Sequence, residues 1–241
     1  MSKNPCFLLI LSLVFATFYC QKKVNRSDIR PPRVVMVPAV SDTSRVEKGI
    51  DAVPEGNTIR VEWIPCADES VAEYEIHRRE GNAPGARFVQ IATVVHPDSF
   101  CLDSGPRLLV RYFYSVWAVT DDGLRSESSD TLSYMLLLKS TIHSPRGETT
   151  ETKPVFSWTD NNQPHVDEYV VRVVDAVSGE PVWISVVRNN YEPGPQSVVY
   201  NADQTARLAA LLLGKEYRWR VDARGQGAAG SESEWVSLKI K

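Results

Sequence analysis

Apolar and polar residues alternate with a period of two along most of this chain. Val61 and Trp63 alternate with Arg60 and Glu62, and Pro65 then ends the run because it has no N–H to give a ladder. Residues 68–70 are polar and predict a turn. Tyr74, Ile76 and Arg78 alternate with Glu75, His77 and Arg79, so residues 58–79 predict two strands and the corner between them. Further strands are predicted at 88–94, 99–103, 112–119 and 131–138. His96-Pro97-Asp98, Gly105-Pro106 and Thr120-Asp121-Asp122-Gly123 mark turns between them. In 112–119, Tyr112, Tyr114, Val116 and Ala118 form the inward set, and Phe113, Trp117 and Val119 point outward. Residues 34–37, closed by Pro38, predict an edge strand. Residues 41–56 carry Asp42, Arg45, Glu47, Lys48 and Asp51 around Val46, Ile50 and Val53, and predict a loop or short helical turn packed on the side of the first domain.

The pattern then repeats. Residues 154–158 parallel the strand at Val61–Trp63, 168–173 parallel 73–78, and 214–223 parallel 112–118. Residues 182–187 and 234–240 predict two more strands, whereas 188–206 are rich in Pro, Gly and Asn and break the parallel. No long amphipathic helix pattern occurs. A chain of 241 residues has room for two domains of about 100 residues each.

The spacing of Trp63, Pro65, Asp68, Val71, Tyr74, Ile76 and Arg78 resembles strands B and C of bacterial fibronectin type III domains. Tyr112, Tyr114, Val116 and Ala118 resemble strand F of the same family, and Gly214-Lys215-Glu216-Tyr217-Arg218-Trp219-Arg220-Val221-Asp222-Ala223 resembles it again. Glu73 stands where the family usually has Gly. The resemblance implies an all-β fold of two tandem immunoglobulin-like sandwiches, at 34–139 with an insertion between strands A and B, and at 140–241. It also makes strands B and E antiparallel neighbours, and so implies a disulfide between Cys66 and Cys101. In the chain-entropy account such a bridge, closing about 35 residues, contributes roughly 3–4 kcal/mol. Two separate buried thiols are the alternative.

The amino terminus changes the picture of where the fold sits. Lys3 precedes an apolar run at 7–19 that ends at Cys20, followed by Gln21-Lys22-Lys23. The run is shorter than the ~20 residues of a membrane-spanning helix and suits a signal segment at 1–20. Cys20 in that position resembles the acylated cysteine of bacterial lipoprotein signals, although Phe18 and Tyr19 stand where that family has small residues. An uncleaved anchor, or cleavage elsewhere, is the alternative. Each reading places the folded part in the cell envelope, outside the cytoplasm. Residues 21–33, ending in Pro31-Pro32, predict a flexible tether to the membrane.

Formal charge is −3, so nothing in the overall balance favours nucleic acid as a partner. His77, His96, His143 and His165 are scattered, and two cysteines without a CxxC spacing make a poor metal set. No metal, cofactor or catalytic residue is expected. The outward residues are the candidate surface for an unidentified protein or glycan. Phe113 and Trp117 form either an exposed aromatic row or a face covered by 41–56 or by the second domain. Arg218, Arg220 and Arg224, with Arg172 on the neighbouring strand, form either a seat for an acidic partner or a solvated stripe. The expected function is a non-catalytic binding or spacer module; a structural subunit of a larger envelope assembly is the alternative, and an enzyme is a distant third.

Overall fold

The computed structural model describes residues 30–37, 39–81, 85–161, 165–192 and 194–241. The signal segment, Cys6, Cys20 and most of the tether lie outside the described residues. The chain is all-β and folds as two β-sandwiches, each around its own apolar core. Strands of the first are β1 (Val35–Met36), β2 (Asp51–Ala52), β3 (Ile59–Ile64), β4 (Val71–Glu80), β5 (Val89–Val95), β6 (Phe100–Asp103), β7 (Arg111–Thr120) and β8 (Leu132–Leu136). Strand β3 lies between β1 and β6, and a second sheet runs β8-β7-β4-β5. The second sandwich is built from β9 (Thr141–Ser144), β10 (Gly147–Thr149), β11 (Val155–Thr159), β12 (Glu168–Asp175), β13 (Pro181–Arg188), β14 (Gln196–Val199), β15 (Glu216–Gly225), β16 (Ala229–Glu232) and β17 (Val236–Ile240). Its sheets are β14-β11-β9 and a larger one in which β15 pairs with β12, β16 and β17.

The alternation read from the sequence is what closes each core. Val61 and Trp63 on β3 face Tyr74, Ile76, Tyr114, Val116 and Ala118 across the first sandwich, all buried. Trp63 and Tyr74 meet at 5.2 Å between ring centroids. In the second sandwich Phe156, Trp158, Tyr169, Trp219 and Val221 occupy the equivalent positions, with Trp183 and Tyr200 added. Phe156 lies edge-on to Trp219 at 4.7 Å. Each set removes several large side chains from water, at roughly 1.5–3 kcal/mol apiece, so each half has its own apolar centre.

The two halves share one sheet. Strand β8 of the first pairs in parallel with β16 of the second, Met135 opposite Ala229 and Leu136 opposite Gly230. The result is a ten-stranded sheet running from β10 to β5. Gly230 is placed by necessity: a Cβ there would stand 2.5 Å from the Tyr134 hydroxyl. Arg111 reaches across to the carbonyls of Ala228 and Gln226, and the Ser231 hydroxyl donates to Leu138 O at 2.9 Å.

The expected Cys66–Cys101 bridge is absent; both are free thiols. Register explains it. Strand β6 does pair with β3, but Cys101 sits opposite Val61, and Ser99 is still bonded to Trp63. Cys66 is five positions beyond Val61, about 16 Å along a strand, whereas a disulfide needs Cα atoms within about 7 Å. Cys66 instead lies beside the Tyr74 hydroxyl, which accepts its N–H at 2.8 Å. Alkylation of the unfolded, unreduced chain followed by peptide mapping should find both cysteines modified. A recovered peptide pair linked through Cys66 and Cys101 would contradict this register.

Candidate functional site

The charged residues that the sequence distributes over two domains converge at their joint. By register, Glu168, Val170, Arg172 and Val174 of β12 stand opposite Arg224, Asp222, Arg220 and Arg218 of β15, on the outer side of the sheet. The neighbours Tyr169, Val171, Val173, Trp219 and Val221 point into the core. A stripe of arginines on an outer face is ordinarily solvated. Here Arg172 and Arg220 are each only 3% exposed, because residues 41–48 lie over them as a strap. Glu47 bridges the two guanidiniums, accepting from Arg172 Nη2 and from Arg220 Nη2 at 2.6 Å each. Arg172 also donates to the carbonyls of Asp42 and Ser44, at 2.6 and 3.0 Å. Arg224 pairs with Asp42 and Glu168, and Arg45 with Glu180.

Arg220 is the centre of the cluster. Its Nε lies 2.9 Å from Asp222 and its Nη1 2.6 Å from Glu232. Its ring-facing side stacks on Trp235 at 4.8 Å, where Arg218 also lies at 5.5 Å. Oxygens of Glu47, Asp222 and Glu232 fall within 4.8 Å of one another, which is the donor set of a small cation site. The cation among them is the Arg220 guanidinium. Each carboxylate touches guanidinium nitrogens, so the group ties the strap to the second sandwich.

Burial governs protonation here. Three carboxylates around the two buried guanidiniums leave one negative charge in excess. Burial first, and then Asp222, push Glu232 up to about 10, against the pull of Arg220. Asp222 is pushed up to about 7 by burial, which outweighs Arg220. Asp51, on the strap's continuation into β2, is pushed up to about 7 by burial, with Asp42 and Glu47 adding to it. The Tyr134 hydroxyl donates to Asp51 at 2.7 Å and opposes the shift in part. A cavity of about 180 Å³ opens beside them, lined by Glu47, Asp51, Glu55, Arg60, Arg220 and Glu232 among others.

These folded-state values lie above the unfolded ones, so the folded chain holds extra protons. Their stabilisation is complete below about pH 4 and is lost as pH rises, through about 7 for Asp51 and Asp222 and about 10 for Glu232. For Asp51 the shift corresponds to roughly 4 kcal/mol. Asp51→Asn keeps the acceptor for Tyr134 and removes the titration. It should leave the chain about 1–4 kcal/mol more stable than wild type at pH 8 and flatten the decline between pH 4 and 7. Urea unfolding across that range reads the effect, and an unchanged slope would count against it.

The other candidate surface is the outer face of β4 and β7. Phe113 and Trp117 are half-buried, and their ring contacts are made within the first sandwich. Arg79 lies over Phe113 at 4.5 Å and over Phe88 at 5.2 Å. Trp117 sits between His77, at 4.3 Å, and Arg125, at 5.7 Å, and Arg125 pairs with Glu75. The face is an alternation of rings and cations. Val119, also expected to point outward, is buried.

Two sequence readings are therefore corrected. The Arg172/Arg220 stripe is neither solvated nor open, since the chain supplies its own acid. Residues 41–56 contain the short strand β2 and lie on the second sandwich as well as the first. Glu47, Asp51 and Glu232 were not singled out by sequence. One signal was available: apart from Arg172, the run Tyr169-Val170-Val171-Arg172-Val173-Val174 is apolar on both faces, as in a strand covered on both sides.

No family model and no curated protein matches the chain. Among solved structures, similar chains include a two-domain fibronectin type III segment of chicken tenascin, 17% identical, covering 79% of this chain and 95% of that one with a TM-score of 0.31. The FN1–FN3 domains of chicken CNTN1 are 15% identical, cover 88% of this chain and 69% of that one, and give a TM-score of 0.36. The fold assignment rests on strand order and register.

Proposed function

We propose that the chain is a non-catalytic spacer and binding module of the cell envelope, tethered to a membrane through lipid on Cys20, whose two sandwiches move as one rigid piece. The observation that carries this reading is the joint. A linker alone would leave two sandwiches free to swing. Here a shared sheet and the Glu47 bridge to Arg172 and Arg220 tie them at two separate places. Such a body holds its faces at a fixed height and angle, which suits presenting a surface to a protein or glycan. The ring-and-cation face of Phe113 and Trp117 is the surface offered.

The reading is tested by fractionating cells that carry wild type or Cys20→Ala, and by pull-down from envelope extracts with wild type or Trp117→Ala. Wild type should be retained with membranes and Cys20→Ala released. Trp117→Ala should recover less of the partner. Unchanged fractionation removes the lipid tether, and equal recovery removes the aromatic face.

One observation favours a subunit of a larger envelope assembly as the second reading. Strand β5, Val89–Val95, ends the ten-stranded sheet, carries no charge and exposes Val89 and Val95. An uncharged edge is a template for pairing with another strand.

A further inference from the structure

The sheet edges of this chain are guarded unequally. The long edge β13 begins at Pro181, ends at Arg188, and has the Arg207 N–H bonded to its Val182 carbonyl. Proline, end charge and a covering segment are the usual means of blunting an edge. Strands β6, β9, β10 and β14 are only three or four residues long, and short edges offer little ladder to a partner.

Strand β5 has less protection. Its seven residues, Val89-Gln90-Ile91-Ala92-Thr93-Val94-Val95, include no charge and no proline, and they end the ten-stranded sheet beside β4. One bulge, at Ile91, interrupts the strand; Ala92 to Val95 pair regularly with Ile76 to Glu73. Ile91, Ala92 and Val94 pack on the first core, whereas Val89 and Val95 are exposed.

The flanks carry the charge that the strand lacks. Arg87 precedes it and Asp98 follows it, and both are exposed. Reversed, such a strand is its own complement. An antiparallel pair centred between Ala92 and Thr93 brings position 87 of each copy alongside position 98 of the other, so Arg87 meets Asp98 twice. A parallel pair would set Arg87 against Arg87 and Asp98 against Asp98. The chain already joins sheets by strand pairing, since β8 and β16 meet in this way across its two halves.

We propose that β5 pairs with β5 of a second copy of this chain, antiparallel about a two-fold axis, so that the ten-stranded sheet continues from one molecule into the next. The proposal rests on the assembly reading above and names the partner. A seven-residue edge buries less than the ~1,200–2,000 Å² of a standard interface. The pair should therefore be weak in solution and favoured where copies are confined together.

The test is cross-linking by a short bis-maleimide in whole cells that carry the full chain with Thr93→Cys. Thr93 is exposed on the edge, so the change leaves both cores intact. The unaltered chain, with free Cys66 and Cys101, sets the background, and Ser178→Cys, exposed on the second sandwich, is the control. Thr93→Cys should give a band of twice the chain's mass, roughly fivefold stronger than either. Arg87→Glu added to Thr93→Cys should weaken that band roughly threefold, through the loss of two exposed ion pairs. Adding Asp98→Arg as well should restore it, because the exchanged charges again meet their opposites. A Thr93→Cys chain that links to itself no more than the Ser178→Cys control, or a charge exchange that does not restore the band, would overturn the proposal. Linkage of Thr93→Cys to a protein of different mass instead would also overturn it, while leaving the assembly reading in place. Cross-linking in whole cells does not depend on lipid at Cys20, so the tethered-spacer reading stands or falls separately.

Discussion

Arg220→Met should lower the free energy of unfolding by about 3–5 kcal/mol, the cost of removing one partner from a buried ion network. Glu47, Asp222 and Glu232 all contact this guanidinium. Methionine fills the volume and leaves the acids facing one another. They would respond by taking up protons, so the deficit should be smaller at pH 5 than at pH 8. The sign follows from the balance of charge: without Arg220 the folded state binds still more protons than the unfolded one, and stability falls further as pH rises. Urea unfolding at the two pH values provides the comparison. A deficit below about 1 kcal/mol, the range of an exposed pair, would mean that the cluster is solvated.

Trp219→Ala should cost about 3–5 kcal/mol as well, by a different cause. The ring is fully buried at the centre of the second core, edge-on to Phe156. Its Nε1–H donates to Pro145 O at 2.8 Å, so truncation both opens a cavity and strands a buried carbonyl. Because each half has its own apolar centre, amide exchange should quicken mainly in residues 155–240. Protection in 59–136 should persist, and its equal loss would show that the two cores are one cooperative unit.

The strands with a buried inner face and a polar outer one were legible because alternation is a local property. Trp63 and Tyr74, and Trp158 and Tyr169, lie on such strands, and the structure joins each pair at just over 5 Å. Strand β14 was not legible. It lies inside the Pro- and Asn-rich stretch, and Gln196 is buried there through a bond to Asn190 rather than through apolar character. Strands β9 and β10 were missed because they are short and Pro145 interrupts them. The joint was invisible for a deeper reason. Which guanidinium Glu47 meets depends on the parallel pairing of β8 with β16, and no period in either segment encodes that. The disulfide failed on register: strand neighbours were inferred correctly, but a shift of five positions separates the sulfurs.

The account depends most on the two sandwiches forming one body. Residual dipolar couplings of the backbone amides measure this without reference to any ligand. Couplings from residues 59–136 and from 155–240 should fit a single alignment tensor in the unaltered chain. Two tensors of different magnitude or orientation would show that the halves reorient independently, and the clamp by Glu47 would then not exist in solution.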